Sequence, residues 1–470
     1  MNPFLKLLPE MMTWPFGNKK DEDPKTPASS TDDEIFYQRA VQTAIWSLPV
    51  VNSISTYQSL NSLGAKYNDV IYFSKPMDSR HLFLTPNNQT PYTLSFIDLR
   101  YGPIVVEIPP ANDKVSLFGS FNDTWSQPIE DFGPAGADQG NGGKYLLLPP
   151  DFSGKICEGG YIIRQSNTYF VTLGGRPIIS KMGTAEDVVA VSKKVKIYPV
   201  SQSGKPAPNT YIDAYPKSWN ALTDYDLSYF KKLSDFVNLE FLQERDAAMI
   251  GMLAAIGIEK GKKFSPDPKQ IQLFEKAIHT AYAFMNNYFI TLGKGYEKYW
   301  ADRQWGFVHF TEKENFTFVV DNKMLLDERS GGFTFWAVSI PKKLGATSYM
   351  LGLRDKDGKV FDPKKTYRLT VPADVPVRDF WSVVVYSMKT KSFVPNPLER
   401  VGLSSYDKSK LAVNPDKTID IYMSAKAPEG KESNWIPTKG EDFFLIFRLY
   451  GPEKPFFDKT WKLADVEEMK

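Results

Sequence analysis

Residues 84–98 read LTPNNQTPYTLSFID, and their character changes part-way along. Pro86 and Pro91, Asn87 and Asn88, Thr85 and Thr90 crowd the first half, which is the composition of a loop at the rim of a sheet. From Tyr92 onward apolar and polar side chains alternate with the period of a strand. Residues 133–150 (GPAGADQGNGGKYLLLPP), 371–397 and 432–452 show the same loop-to-strand punctuation. Working outward from these stretches, short alternating segments at 70–73, 92–99, 104–107, 116–121, 144–148, 160–164, 168–173 and 194–198 predict a first β domain over 67–216 with sandwich-like spacing. Segments 349–353, 367–371, 381–386, 419–423 and 443–449 predict a second over 305–470. Asp355-Lys356-Asp357-Gly358 reads as a hairpin turn within it.

Between the two, 217–304 carries helical spacing: Leu227, Phe230, Leu233 and Val237, then Leu273, Ala277, Ile278, Ala281 and Met285. The apolar run 247–258 is too short to cross a bilayer and reads as a buried helix. A helical lead-in is expected over 34–66. Its start lies at Ser30–Asp33, and it kinks or ends at Pro49, with a second piece over 53–63. Residues 18–34 are charged and nearly free of apolar side chains, so 1–33 is expected to be a loosely held terminus and linker. Met1–Gly17 is apolar but interrupted by Pro9, Glu10 and Pro15, and lacks the unbroken centre of about 7–15 residues that a secretory signal needs.

Composition narrows the function classes. The chain has 470 residues, too many for one core. Its 57 basic and 55 acidic residues leave a net charge of +2, which offers no field for nucleic acid. A single cysteine, Cys157, excludes an internal disulfide and a thiolate metal cage. His81, His279 and His309 are the only histidines, none at ligand spacing, so no metal and no cofactor is expected and a zinc or serine hydrolase is disfavoured. Gly140-Asn141-Gly142-Gly143-Lys144 fails as a phosphate loop, because Asp138 and Tyr145 stand where Gly and Ser or Thr are required. Asp355, Asp357 and Asp362 fail as a calcium loop, because Val360 and Thr366 stand where Gly and Glu are required.

The chain resembles a bacterial tandem family known as the domains of unknown function 1254 and 1214. The residues that carry the resemblance are TPNNQTPY at 85–92, the glycine-rich run into Tyr145–Pro150, Asn167-Thr168-Tyr169, IGIEKGKKFSPD at 256–267, Asp379-Phe380-Trp381-Ser382, Asn434-Trp435-Ile436 and Arg448–Pro452. It implies an immunoglobulin-like β domain, a helical insert and a jelly-roll-like β domain. It implies no catalytic residue. Many relatives carry Asp where this chain has Gln89, and relatives commonly carry a secretory signal.

The candidate ligand-binding residues are polar groups on otherwise apolar strands and their rims: Asn88, Thr90, Tyr92, Asp123, Trp125, Asp379, Trp381, Arg448 and Tyr450. Arg448 sits among apolar neighbours in FFLIFRLYG, and a buried guanidinium calls for a carboxylate, expected in Asp379 or Glu399. Aromatic rings beside Asp, Asn and Arg suit sugar rings and their hydroxyls. The expected function is therefore binding or processing of a glycan or other polyhydroxylated small molecule in an interdomain cleft. A glycosidase would need two carboxylates roughly 5–10 Å apart in that cleft. The alternative is a non-enzymatic assembly protein forming a homo-oligomer, which the near-zero net charge permits.

Overall fold

The computed structural model describes residues 28–156, 159–180, 182–291, 298–307, 317–336, 341–342 and 347–469. Met1–Gly17, most of the linker, Cys157 and His309 lie outside these. The chain is mostly β-sheet with several helices.

The first helix, Ala28–Asn61, starts before the expected caps and runs unbroken through Pro49. A proline inside a helix costs about 3 kcal/mol. Here Ala44, Trp46, Leu48, Val50 and Val51 are all buried around it. Each large one contributes about 1.5–3 kcal/mol, so packing outweighs the lost hydrogen bond. The helix lies against Leu227–Leu239, Ala247–Ala255, Pro268–Thr291 and Leu326–Phe333. Two of these depart from the sequence reading. Ala247–Ala255 buries Leu253 and rests half-buried Met249 and Ile250 on the core, with Ala247, Ala248, Gly251, Met252 and Ala255 exposed; the rest of the apolar run, Ile256 and Ile258, is buried beyond the helix end, so only one side of this helix is core. Leu326–Phe333 falls where only β structure was expected; Gly331 and Gly332 hide it from propensity, yet the Tyr288 ring lies so close that a Cβ at Gly331 would sit 2.5 Å from it.

The first β unit has two sheets. The larger is ordered Tyr211–Asp213, Val70–Tyr72, Thr93–Asp98, Phe170–Ile179, Val115–Asp123, Pro128–Phe132; the smaller is Lys196–Pro199, Ile104–Ile108, Gly143–Leu148, Ile162–Gln165. Strand alternation assigns the faces: Ile97, Leu117, Phe121 and Leu173 join Val106, Tyr145 and Leu147 in a core between the sheets, while Leu94 and Phe96 join the helices.

The second unit repeats the logic. One sheet is ordered Gly306–Phe307, Thr347–Gly352, Phe443–Pro452, Val377–Ser387, Gly402–Ser404, and the other Trp435–Pro437, Ile419–Ser424, Tyr367–Val371, Glu467–Glu468. Phe443–Pro452 is central and buried throughout. Phe443, Leu445, Phe447 and Leu449 enter the core between these sheets with Trp381 and Val383. Phe444 and Ile446 face the other way and join the core shared with the helices and the first unit. Arg448 and Tyr450 follow on that same face.

The expected hairpin at 355–358 forms, with Asp355 Oδ1 accepting from Asp357 N at 3.0 Å and Lys359 N at 2.9 Å. That carboxylate is occupied by its own turn.

Candidate functional site: an arginine–tyrosine cleft between the β units

The loop 84–92 of the first unit is pressed onto the second by its own hydrogen bonds. Thr85 N donates to Lys391 O at 2.7 Å, and Tyr386 Oη donates to Pro86 O at 2.6 Å. Asn87 organises the loop: its N donates to Tyr92 Oη at 2.9 Å, and its Nδ2 to Thr90 Oγ1 at 2.8 Å and to Tyr450 Oη. Gln89 Oε1 accepts from Ser404 Oγ at 2.8 Å, a further contact between the two units.

Arg448 reaches this loop from the central strand. Its Nη2 donates to Thr85 O at 2.8 Å, while its Nε and Nη1 are buried and have no hydrogen-bond partner among the described residues. Its guanidinium lies 5.0 Å from the ring centre of Tyr349 and 5.4 Å from that of Tyr386. A second arginine, Arg176 on Phe170–Ile179, sits 3.7 Å from the ring centre of Tyr92, and its buried Nη1 is also unpartnered. Among the described residues neither guanidinium has a carboxylate within 4.0 Å. The expected partners are elsewhere. Asp379 pairs with its neighbour Arg378 at 2.7 Å, and Glu399 accepts from Ser79 Oγ at 3.1 Å. An irregularity between Val377 and Phe380 takes Asp379 out of the pairing with Phe443–Pro452, while Trp381 enters the C-terminal core and Phe380 stacks on Tyr450, at 4.1 Å.

Two neighbouring chambers with shared walls lie beside these groups. The inner one, about 50 Å³, is lined by Thr85, Tyr92, Arg176, Trp336, Tyr349 and Arg448. The outer one, about 60 Å³, shares Gly174, Arg176 and Tyr349 with it and adds Ser120 and Asp131. A water needs about 10–15 Å³ measured this way, so each chamber has room for only a few small groups. Glycine makes part of the room: a Cβ at Gly119 would lie 2.1 Å from Gly174 O. A surface groove bordered by Asp379 shares Phe118 and Ala135 with the outer chamber.

The electrostatics follow from burial and from the rings. Burial opposes the charged form of Arg448, but Tyr386, Tyr450 and Tyr349 outweigh it and hold the guanidinium above its ordinary range. Arg176 is held up in the same way by Tyr92 and Tyr349. Tyr349 shifts the other way: burial raises it, but Arg176 and Arg448 together bring its phenol below the usual range.

Of the sequence candidates, Thr90, Tyr92, Arg448 and Tyr450 meet at this cleft, with Asn88 next to Asn87 in the same loop and its Oδ1 buried and unpartnered. Trp381 is in the C-terminal core, stacked on Phe447 at 5.6 Å. Asp123 and Trp125 belong to a separate polar cluster under the helices. There Trp125 packs edge-on against Trp46 at 4.8 Å and beneath the Arg329 guanidinium at 4.9 Å. Asp123 Oδ1 accepts from Gln127 N at 2.8 Å. The sequence reading missed Arg176, Tyr349 and Asn87, although Arg176 in FVTLGGRPII gives the same signal as Arg448, a charge inside an apolar strand.

That second cluster is a staple. Glu240 accepts from Thr124 Oγ1, from Tyr169 N at 2.7 Å, from Phe170 N at 3.0 Å and from Phe241 N at 2.9 Å. It tethers the end of helix Leu227–Leu239 to the first sheet. A roomier apolar cavity of about 120 Å³, lined by Tyr57, Tyr67, Phe96 and Phe170, borders Glu240, whose acceptors are already used by these donors. Burial pushes both Asp123 and Glu240 up to about 7. A carboxyl whose folded-state value exceeds its ordinary one stabilises the fold fully below that ordinary value, near 4, and loses the contribution as pH rises through about 7. Thermal stability is therefore expected to fall between about pH 5 and pH 8. Scanning calorimetry of Asp123→Asn across that range should show a shallower slope than the parent; an identical slope would exclude Asp123 as a source.

Histidine carries no site among the described residues: His81 is buried between Asp78 and the Tyr215 carbonyl, and His279 is at the helix surface. No cluster of three or more His, Cys, Asp or Glu among the described residues is arranged to hold a metal. No described helix is long and apolar enough to cross a membrane.

The fold thus defines a tandem β protein whose cleft is lined from both units, with loop 84–92 and Arg176 on one side and Tyr349, Tyr386, Arg448 and Tyr450 on the other. Residues 67–199 match the family described as a protein of unknown function (DUF1254), and residues 346–454 match the one described as a protein of unknown function (DUF1214). The chain belongs to the tandem DUF1254/DUF1214 family. The VPA0106 protein of Vibrio parahaemolyticus has a similar fold, with TM-score 0.56 and 17% identity over 93% of this chain and 100% of that one. An uncharacterized protein from Burkholderia cenocepacia aligns with TM-score 0.41 and 12% identity over 94% of this chain and 96% of that one. No curated protein matches the chain.

Proposed function

We propose that the cleft binds a small hydroxylated carboxylic acid of the sugar-acid class, carboxylate inward. The observation that carries this is the pair of arginines, Arg176 and Arg448, with buried donors and no carboxylate partner. Buried charge is normally paired, and a planar carboxylate fits guanidinium donors best. Tyrosine hydroxyls and the Trp336 ring around the inner chamber suit the remaining hydroxyls and the apolar face of such a ligand. The chamber sizes favour one small molecule over a polymer. The two chambers contribute a single carboxylate, Asp131, which accepts from Ser120 Oγ at 2.7 Å, so the lining favours binding over two-carboxylate glycoside hydrolysis.

Part of this reading is the division of the chain into an immunoglobulin-like β domain over 67–216, a helical insert over 217–304 and a jelly-roll-like β domain over 305–470. Two separate pairs of sheets, each enclosing its own core, support it.

Calorimetric titration with D-glucuronate and D-glucose tests the function. D-Glucuronate should bind and D-glucose should not. Arg176→Met should weaken D-glucuronate binding about 100-fold, the loss of roughly 3 kcal/mol of charge-assisted hydrogen bonding. Equal binding of both sugars, or of neither, would rule the reading out.

A further inference from the structure

In the inner chamber the hydrogen-bond donors are spare and the acceptors are spent. Arg176 Nη1, Arg448 Nε and Arg448 Nη1 are buried donors with no hydrogen-bond partner among the described residues. Tyr92 Oη already accepts from Asn87 N at 2.9 Å, so its own hydrogen is left to give, and no described residue takes it up. The acceptors run the other way. Thr85 O receives Arg448 Nη2 at 2.8 Å, and Thr85 Oγ1 donates to Phe335 O at 2.9 Å. Gly174 lies within the sheet, paired with Leu94 on one side and Ser120 on the other. The Trp336 indole can only donate. No described Asp, Glu, Asn or Gln lines this chamber; Asp131 lines the outer one. Residues 337–340 and 343–346, outside the described residues, read AVSI and KLGA and contain none of these types. Tyr349, on the wall shared with the outer chamber, has a hydroxyl that can give or accept.

A donor-lined chamber discriminates by more than charge. At about 50 Å³ it holds a carboxylate and little more than the oxygen on the carbon beside it. A carbonyl or ether oxygen at that position brings lone pairs alone, and every spare donor can use them. A hydroxyl brings a hydrogen into a field of N–H and O–H groups. A buried donor without an acceptor loses most of what its oxygen gains. We propose that the inner chamber selects acids whose oxygen beside the carboxylate carries no hydrogen, so that the ligand is a uronic acid in its ring form and not an aldonic or other 2-hydroxy acid. In a pyranose uronate the carbon that bears the carboxylate also bears the ring oxygen, and all hydroxyls lie further along the ring. In an aldonate that carbon bears a hydroxyl. The residues that set this preference are Arg176, Arg448 and Tyr92. The inference rests on the cleft being a carboxylate site, and narrows the sugar-acid class to one of its two halves.

Calorimetric titration of the full, unaltered chain with two sets of acids tests this, and folding plays no part in the outcome. The three-carbon set isolates one atom: pyruvate has a carbonyl oxygen beside the carboxylate, L-lactate a hydroxyl and propionate neither. Pyruvate should bind about tenfold more tightly than L-lactate, the effect of one stranded buried donor, and L-lactate about as weakly as propionate. In the sugar set D-glucuronate should bind at least about tenfold more tightly than D-gluconate. L-Lactate within about threefold of pyruvate, or D-gluconate within about threefold of D-glucuronate, overturns the inference and leaves the carboxylate site standing, because the acids still bind. Failure of every one of these acids to bind defeats the carboxylate reading and the inference together.

Discussion

Replacing Arg448 with Met is expected to leave the protein about as stable as the parent and to abolish ligand binding. From the sequence alone the opposite follows. A guanidinium in FFLIFRLYG would be matched by Asp379 or Glu399, and its removal would strand a buried carboxylate at about 3–5 kcal/mol. In the structure Asp379 is engaged by Arg378 and Glu399 by Ser79, so no carboxylate is stranded. What is lost is one good hydrogen bond, Nη2 to Thr85 O, and the ring contacts, together on the order of 1–2 kcal/mol. What is relieved is the desolvation of the guanidinium and its repulsion of Arg176, which the neighbouring tyrosines already offset, so the balance lies close to zero. Methionine fills most of the vacated volume. Denaturant unfolding of Arg448→Met checks the sign. A loss beyond about 3 kcal/mol would mean that Arg448 holds an anionic partner in the free protein.

Glu240→Ala is expected to be the most damaging single change, costing about 3–5 kcal/mol. The truncation leaves Tyr169 N, Phe170 N, Phe241 N and Thr124 Oγ1 without their shared acceptor at a site that is 1% exposed. Each abandoned buried donor costs about 1–3 kcal/mol, reduced where water enters from the neighbouring cavity. Glu240→Gln preserves shape and one carbonyl acceptor and should cost less. Neither change should alter D-glucuronate affinity in protein that remains folded. Unfolding curves for the two variants decide this; an alanine variant within about 1 kcal/mol of the parent would show that the carboxylate is not the tether.

What the sequence disclosed about the cleft was one half of it. The burial of Arg448 is legible because every neighbour from Phe443 to Leu449 is apolar and the strand alternates. Its surroundings are not legible, because the carbonyl that accepts from it lies 363 residues away, on a loop whose approach depends on how the two β units pack. Arg176 and Tyr349 carry comparable strand signals, yet nothing in the sequence says that they meet. Asp379 was misassigned for a local reason: it lies beside Arg378, which takes its carboxylate, at an irregularity in the strand. Long helix Ala28–Asn61 shows the converse limit. Pro49 is a strong local stop, and only burial by distant helices overrides it. The loop-to-strand boundaries at 92 and 143, by contrast, are set by local chemistry and were readable.

The most direct measurement is a crystal structure of the protein grown with D-glucuronate. The expected result is one ligand with its carboxylate in the inner chamber, within about 3.2 Å of Arg176 Nη1 and Arg448 Nη1, and its hydroxyls toward the tyrosines and the outer chamber. A ligand seated with its carboxylate toward solvent, or bound elsewhere while both guanidiniums stay unoccupied, would contradict the assignment of the arginine–tyrosine cleft as an anion site.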